Sequence, residues 1–153
     1  MACYFEDVAV GDVYEHDGRY EVTKSEVKEF AEKYDPQPFH TDEEAAEESI
    51  FGSLAASGWH TASMCMRLLV DGFLDEGSMG ARGVDELRWT RPVHPGDTLR
   101  VELEVLEKRP SESRPEMGHV QTKLRGYNQR DDLVIEWTAL GMFRRRDPGE
   151  QPD

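Results

Sequence analysis

The stretch that decides the fold is Thr-Ala-Ser-Met-Cys-Met-Arg-Leu-Leu-Val-Asp-Gly-Phe, residues 61–73. It is apolar on most sides, which is typical of a helix that is buried by a sheet. We therefore predict that it forms the core helix of the protein. The whole chain has 153 residues, enough to build a hydrophobic core within one domain.

After residue 83 the pattern changes from helical periodicity to the alternation typical of strands. A flexible glycine-rich stretch is expected over residues 77–83 and a polar loop over residues 109–118. The predicted strands cover residues 84–91, 99–105, 120–128 and 133–143. Helices followed by an antiparallel meander predict a single α+β domain, residues 1–143, whose sheet wraps around one long central helix. Residues 144–153 are expected to form a disordered tail.

The segment before the core helix carries local signals for strands and helices. Residues 13–22 are predicted to form an early strand or a hairpin that turns at Asp17-Gly18. Thr23 and Glu26 form a capping box that begins a helix ending at residue 34, and Thr41 with Glu44 repeats this signal for a short acidic helix.

Between these two helices lies Asp35-Pro36-Gln37-Pro38-Phe39-His40. Pro36 pushes Asp35 out of helical geometry, so Asp35 and His40 are expected to flank one tight, non-helical corner. A carboxylate and an imidazole that face the same small volume can hold and deprotonate a water molecule. The alternative is structural, because Asp before Pro is a common turn residue and a His before a helix cap is often a surface residue.

The charge balance excludes some functions. The net charge is −14, with five Lys, thirteen Arg and thirty-two acidic residues, which argues against binding to nucleic acid or to an anionic membrane. Such a Lys-poor, acidic composition is similar to that of proteins from a high-salt cytoplasm, and an ordinary acidic protein is the alternative.

Other sequence features bear on metals, disulfides and location. Cys3 and Cys65 are too few for a disulfide framework and have no metal-ligand spacing. His16, His94 and His119 are scattered without paired spacing, so no metal site is expected. The chain start has no basic and apolar leader, and no segment approaches the length of a membrane span, so a cytoplasmic location is expected.

From about residue 8 to residue 143 the sequence resembles the MaoC-like dehydratase family, the (R)-specific enoyl-CoA hydratases with a hot-dog fold. The family's Asp-x-Asn-Pro-x-His element is similar to residues 35–40, and its helix-opening glycine corresponds to Gly58. Its Pro-Val-x-x-Gly-Asp turn resembles the turn within Arg91-Pro-Val-His-Pro-Gly-Asp-Thr98. Three positions depart from the family: Tyr34 replaces a glycine, Gln37 an asparagine and Ser57 a histidine.

The resemblance implies reversible addition of water to a trans-2-enoyl-CoA, giving an (R)-3-hydroxyacyl-CoA. It implies that Asp35 is the base, that His40 holds the water and shares the acid–base work, and that the Gly58 N–H donates to the thioester oxygen. Gln37 and Ser57 keep polar groups that can orient the site. His60 is left out of the site, because a helix His beside Trp59 is more often packed or solvated.

The resemblance also implies how the substrate and partners are bound. Tyr34 is expected to narrow or reshape the acyl pocket. Arg91, together with Arg82 and Arg88, is available for the phosphates of CoA. No cofactor is expected, because the substrate carries its own CoA. The family commonly forms homodimers with the active site near the interface, so a homodimer or a dimer of dimers is expected. Two other functions stay open: a hot-dog acyl-CoA thioesterase and a non-catalytic acyl-CoA-binding protein.

The composition generates a prediction about salt. If the acidic surface is adapted to high salt, the melting temperature rises as KCl is raised to molar levels, because screening removes repulsion between carboxylates. Thermal melts followed by circular dichroism measure this. Near pH 4.7, the isoelectric point, the salt dependence should shrink. A melting temperature that falls or stays flat with KCl at neutral pH contradicts the prediction.

Overall fold

The structure, a computed structural model, describes residues 4–148. Its helical elements are a 3₁₀ turn at Phe5–Asp7, α1 Lys24–Tyr34, α2 Pro38–Thr41, α3 Glu43–Glu47 and α4 Gly58–Gly72. Its strands are β1 Val13–Glu15, β2 Tyr20–Glu21, β3 Ser78–Trp89, β4 Thr98–Pro110, β5 Met117–Tyr127 and β6 Leu133–Arg144. None of the helices in this part of the chain is long and apolar enough to cross a membrane.

The sheet is antiparallel, with strands in the order β1-β4-β5-β6-β3, and β2 also pairs with β4. One face of α4 packs on this sheet, and the two together bury the main core. The predicted α+β hot-dog domain, a sheet around a long central helix, is therefore confirmed.

The contact between α4 and the sheet depends on small and apolar residues. Met64, Cys65 and Leu68 are buried on the sheet-facing side of the helix. Gly126 of β5 permits a close approach, since a Cβ there would lie 2.9 Å from the Cys65 Sγ. The helix is not buried on all sides, however: Met66 and Val70 are exposed, so part of its apolar surface faces away from the sheet.

Long-range strand pairing corrects two predictions. The segment 13–22 is not a hairpin, because β1 and β2 both pair with β4 instead of with each other. The glycine-rich stretch 77–83 is largely strand, because β3 begins at Ser78 and pairs with β6. Register shifts and Gly80, with a φ of +93°, make this part of β3 irregular.

The ordered chain extends beyond the predicted end of the domain. β6 includes Arg144, and Arg145 is buried. Arg146 forms an ion pair with Asp7 of the N-terminal 3₁₀ turn. The boundary at residue 143 is therefore placed too early, and residues 149–153 of the predicted tail lie outside the described residues.

Candidate active site

The corner at residues 35–40 contains more helix than the sequence indicates. α1 begins with the predicted cap, in which the Glu26 N–H donates to Thr23 Oγ1 at 3.3 Å, and it ends at Asp35. Pro38 then opens the single turn α2, so His40 is helical. The cap of α3 is Asp42, whose carboxylate accepts from the Glu44 N–H, and not Thr41.

This geometry brings Asp35 and His40 together. The distance between Asp35 Oδ2 and His40 Nε2 is 3.5 Å, longer than a normal hydrogen bond. The other ring nitrogen, Nδ1, lies 2.6 Å from the carbonyl oxygen of Ala55. A carbonyl can only accept, so Nδ1 carries a proton, and in the neutral form of the ring Nε2 is an acceptor. Two acceptors therefore face each other, and one water molecule can donate to both.

Two side chains hold the Asp35 carboxylate in place. Ser57 Oγ donates to Oδ2 at 2.7 Å, and Gln37 Nε2 donates to Oδ1 at 2.7 Å. Burial raises the pKa of Asp35, but these hydrogen bonds and the nearby His40 outweigh burial and hold the pKa below its ordinary value. The carboxylate is therefore ionised at neutral pH, which is the form that can accept a proton.

Gly58 is the first residue of α4, and its neighbours leave no room for a side chain. A Cβ at this position would lie 2.5 Å from the Trp89 ring, whose Nε1 donates to the Gly58 carbonyl at 2.8 Å. At a helix N-terminus the first N–H groups have no intrahelical acceptor and carry the positive end of the helix dipole. The Gly58 N–H is thus available to an external oxygen that carries negative charge.

Asp35, His40 and Gly58 line one cleft of about 420 Å³. Gln37 and Arg91 also line it, and the Arg91 side chain is 62% exposed, with its guanidinium 3.8 Å from Asp132. Ser57 reaches the site through its hydrogen bond to Asp35. The structure therefore brings together six of the seven residues that the sequence selects for the site.

The seventh residue, Tyr34, has a different position. Tyr34 is expected from the sequence to reshape the acyl pocket, but it is 64% exposed, packs on Phe30 of the same helix and is not part of the cleft lining. Arg82 and Arg88, which the sequence groups with Arg91, do not line this cleft either.

Sequence reasoning missed the aromatic walls of the cleft. The lining rings are those of Phe39, Phe51, Trp59 and Trp89. The Phe39 ring lies 4.5 Å from His40 in an edge-to-face arrangement and 5.1 Å from Phe51. Two of these rings have a local signal, because Phe39 lies inside the Asp35–His40 motif and Trp59 directly follows Gly58. Trp89 comes from the distant end of β3.

His60 is packed and lies outside the cleft lining. Its Nε2 lies 3.0 Å from Glu26 Oε1, and its ring stacks on Phe30 at 4.8 Å. Tyr20 donates to the same Glu26 oxygen at 2.5 Å. These contacts tie the first half of α1 to the first turn of α4, the helix that begins at Gly58. Within residues 4–148, no group of three or more His, Cys, Asp or Glu side chains is arranged to hold a metal ion.

Comparison with known proteins adds a family relationship. The family model described as "MaoC like domain" matches residues 6–126. A solved MaoC-like dehydratase from Rhodospirillum rubrum is 46% identical, with a TM-score of 0.88, over 95% of this chain and 99% of that chain. The unliganded R-hydratase PhaJ1 from Pseudomonas aeruginosa is 26% identical, with a TM-score of 0.74, over 98% of this chain and 94% of that chain. The uncharacterized protein YdeM from Bacillus subtilis is 31% identical over 92% of this chain and 98% of its own length.

The carboxylate environment generates a prediction for Ser57→Ala. Loss of the Ser57 hydrogen bond should raise the pKa of Asp35 towards its ordinary value, measured by ¹³C NMR titration of the side-chain carboxyl. In the wild type, the lowered pKa of Asp35 increases the free energy of unfolding. This gain is fully present above the ordinary pKa of Asp, and it is lost as the pH falls through the pKa that Asp35 has in the folded protein. In Ser57→Ala, the free energy of unfolding should therefore change less with pH in the acid range.

The matched control is Ser63→Ala, also in α4, whose hydroxyl donates to the Trp59 carbonyl and not to Asp35. It should leave the Asp35 titration unchanged. A wild-type pKa at or above the ordinary value, or an equal response to both substitutions, would contradict the assigned role of Ser57.

Proposed function

The chain belongs to the MaoC-like dehydratase family, and on that premise we propose that it is an (R)-specific enoyl-CoA hydratase and 3-hydroxyacyl-CoA dehydratase. The observation that supports this most is the pair of acceptors, Asp35 Oδ2 and His40 Nε2, 3.5 Å apart at the wall of an open cleft. A hydratase needs a water that is both held and deprotonated, and this pair can do both.

In the proposed reaction, the water donates one hydrogen bond to Asp35 and one to His40. Asp35 takes a proton as the water oxygen bonds to C3 of the enoyl group, and the pair returns a proton to C2. The net change is therefore the addition of one water molecule across the double bond. Negative charge that develops on the thioester oxygen is stabilised by the Gly58 N–H and the N-terminal end of α4.

The remaining cleft residues bind and orient the substrate in this proposal. Gln37 and Ser57 fix the direction of the Asp35 carboxylate, and the aromatic walls contact the acyl chain. Arg91 lies at the exposed mouth, where its long contact with Asp132 leaves the guanidinium able to bind a phosphate of CoA. The reaction requires no cofactor beyond the CoA that the substrate carries.

The test is hydration of a short and a medium trans-2-enoyl-CoA in molar KCl, followed by loss of the enoyl-thioester absorbance. Asp35→Asn and His40→Ala should each lower kcat by about 100-fold or more, since general acid–base catalysis contributes 10²–10⁴-fold. His16→Ala is a matched control, because His16 packs on Phe73 at the far end of α4 and is not part of the cleft lining. Trapping the product with a stereospecific dehydrogenase should show the (R) enantiomer.

Other outcomes have clear meanings. Release of free CoA without hydration would assign the protein to the hot-dog thioesterases. An unchanged rate in Asp35→Asn and His40→Ala would contradict the catalytic roles, and tight acyl-CoA binding without turnover would indicate a non-catalytic binding protein.

We further propose a homodimer. A dimer of dimers would need a second interface. Its primary contact is the edge strand β3, which has twelve residues and carries Val84 at 50% exposure. Within residues 4–148, β3 pairs with β6 on one side and with no strand on the other. A long exposed edge of this kind favours pairing with another chain. β3 ends at Trp89 in the cleft wall, so this dimer would place the active site near the interface.

Light scattering in molar KCl should give about 35 kDa or a multiple of it, since one chain is 17.5 kDa. Val84→Lys should dissociate the dimer by placing a charge in the interface. Val13→Lys is the matched control: Val13 is 53% exposed on β1, the opposite edge of the sheet, and its substitution should leave the mass unchanged. A wild-type monomer, or dissociation by Val13→Lys alone, would contradict this interface.

A further inference from the structure

A second cleft, of about 370 Å³, lies away from Asp35 and His40. It is lined by residues from four strands, including Arg82 of β3, Arg109 of β4, His119 and Gln121 of β5, and Leu140 of β6. In β5, Val120 and Leu124 are buried on the side of the sheet that carries the apolar clusters. Because side chains alternate along a strand, His119 and Gln121 face the opposite side.

This position separates the second cleft from the active site. The active-site cleft includes Trp89 and Val93, near the junction of β3 and β4. The second cleft includes residues 106–109, near the other end of β4, and Arg82, seven positions before Trp89 in β3. At about 3.3 Å per strand residue, the two clefts are on the order of 20 Å apart along the strands.

The charge of the second cleft is opposite to that of the protein as a whole. The chain has a net charge of −14, yet Arg82, Arg109 and His119 line this cleft with Glu107 as its acidic residue. Among residues 4–148, neither Arg82 nor Arg109 has a carboxylate oxygen within 4.0 Å. Other arginines such as Arg88 share this property, but Arg82 and Arg109 line one cleft together. Two guanidinium groups without carboxylate partners in so acidic a chain favour an anionic ligand.

His119 adds a second, independent sign of a ligand. Its Nδ1 is buried and has no hydrogen-bond partner among the described residues, which is uncommon for a buried polar atom. Burial, and then the positive charges of Arg109 and Arg82, lower the pKa of His119, so the ring is neutral at pH 7. A neutral imidazole between two arginines can hydrogen-bond an anion that neutralises them.

The cleft also has an apolar part. Leu106 and Leu140 line it, and Val10, at its edge, is among the large exposed apolar residues. Lys108 lies opposite Val120 and its Nζ donates to the Phe5 carbonyl at 3.0 Å, so its charge is on the other side of the sheet from His119. The combination of a small cationic end and an apolar wall suits a phosphate ester with an apolar or aromatic body.

We propose that this cleft is a second ligand site, which binds a phosphate monoester such as a nucleotide independently of the acyl-CoA substrate. The phosphate contacts the Arg82 and Arg109 guanidinium groups and His119, and the body of the ligand packs on Leu106, Leu140 and Val10. A free nucleotide and the nucleotide end of CoA share this chemistry, so the test must distinguish them.

Calorimetric titration with AMP, at a fixed salt concentration, tests the site. AMP should bind saturably with one site per chain, and adenosine should not. Arg82→Ala and Arg109→Ala should each weaken AMP binding about 10-fold, whereas Arg67→Ala, an exposed arginine already paired with Asp71 on α4, should not change it. Glu107→Gln should tighten AMP binding, a gain that loss of folding cannot produce.

NMR and kinetics complete the test. Saturating AMP should raise the pKa of His119, because the phosphate offsets the field of Arg82 and Arg109. Arg109→Ala should leave kcat and KM for the enoyl-CoA unchanged. The proposal is overturned if AMP does not bind saturably or if Arg67→Ala weakens AMP binding equally. It is also overturned if KM for the enoyl-CoA rises in Arg109→Ala, which would assign the cleft to the substrate's nucleotide.

Discussion

The hydrogen bond between His40 Nδ1 and the Ala55 carbonyl, 2.6 Å long, determines what the active-site cleft can do. It fixes the proton on Nδ1 and leaves Nε2 as an acceptor towards Asp35. If the proton were on Nε2, that nitrogen would donate directly to Asp35, and the position for a shared water would be lost. The chemistry proposed for the protein therefore depends on where one backbone carbonyl lies.

That carbonyl is held by the segment that leads into α4. The Ala55 N–H donates to the Phe39 carbonyl at 3.2 Å, and the Ala56 N–H donates to the Val93 carbonyl at 2.8 Å. The segment is thus clamped between α2 and the β3–β4 connection. The next residue, Ser57, is completely buried and donates to Asp35, so one short stretch orients both members of the pair. Gly58 follows at once, which places the proposed oxyanion donor beside them.

The sequence predicts those parts of the fold that depend on local signals. α1 follows from the cap at Thr23 and the apolar positions Val27 and Ala31, which are both buried. The central helix and the long strands follow from periodicity. The pairing of β1 and β2 with β4, and the strand character of residues 78–83, depend on partners far away in sequence, and local turn signals cannot reveal such partners.

The active site is likewise predicted only where the signal is local. The Asp35–His40 motif and Gly58 can be found from the sequence and its family resemblance. The reason for glycine at position 58 is the Trp89 ring, 31 residues away, which leaves no room for a side chain. The tautomer of His40 depends on Ala55, which carries no sequence signal for catalysis. Tyr34 shows that a residue's place in a motif does not fix where its side chain lies. It directly precedes Asp35, which suggests that it lines the acyl pocket, but its side chain packs on Phe30 and is exposed to solvent.

A double-mutant cycle on Asp35 and His40 tests the central claim most directly, that both groups act on one water molecule. The rate of enoyl-CoA hydration is measured for the wild type, Asp35→Asn, His40→Ala and the double variant under one condition. If the two groups act as a unit, the double variant is about as slow as the slower single variant. If the two losses multiply, the groups act independently, and the account of a shared water is wrong.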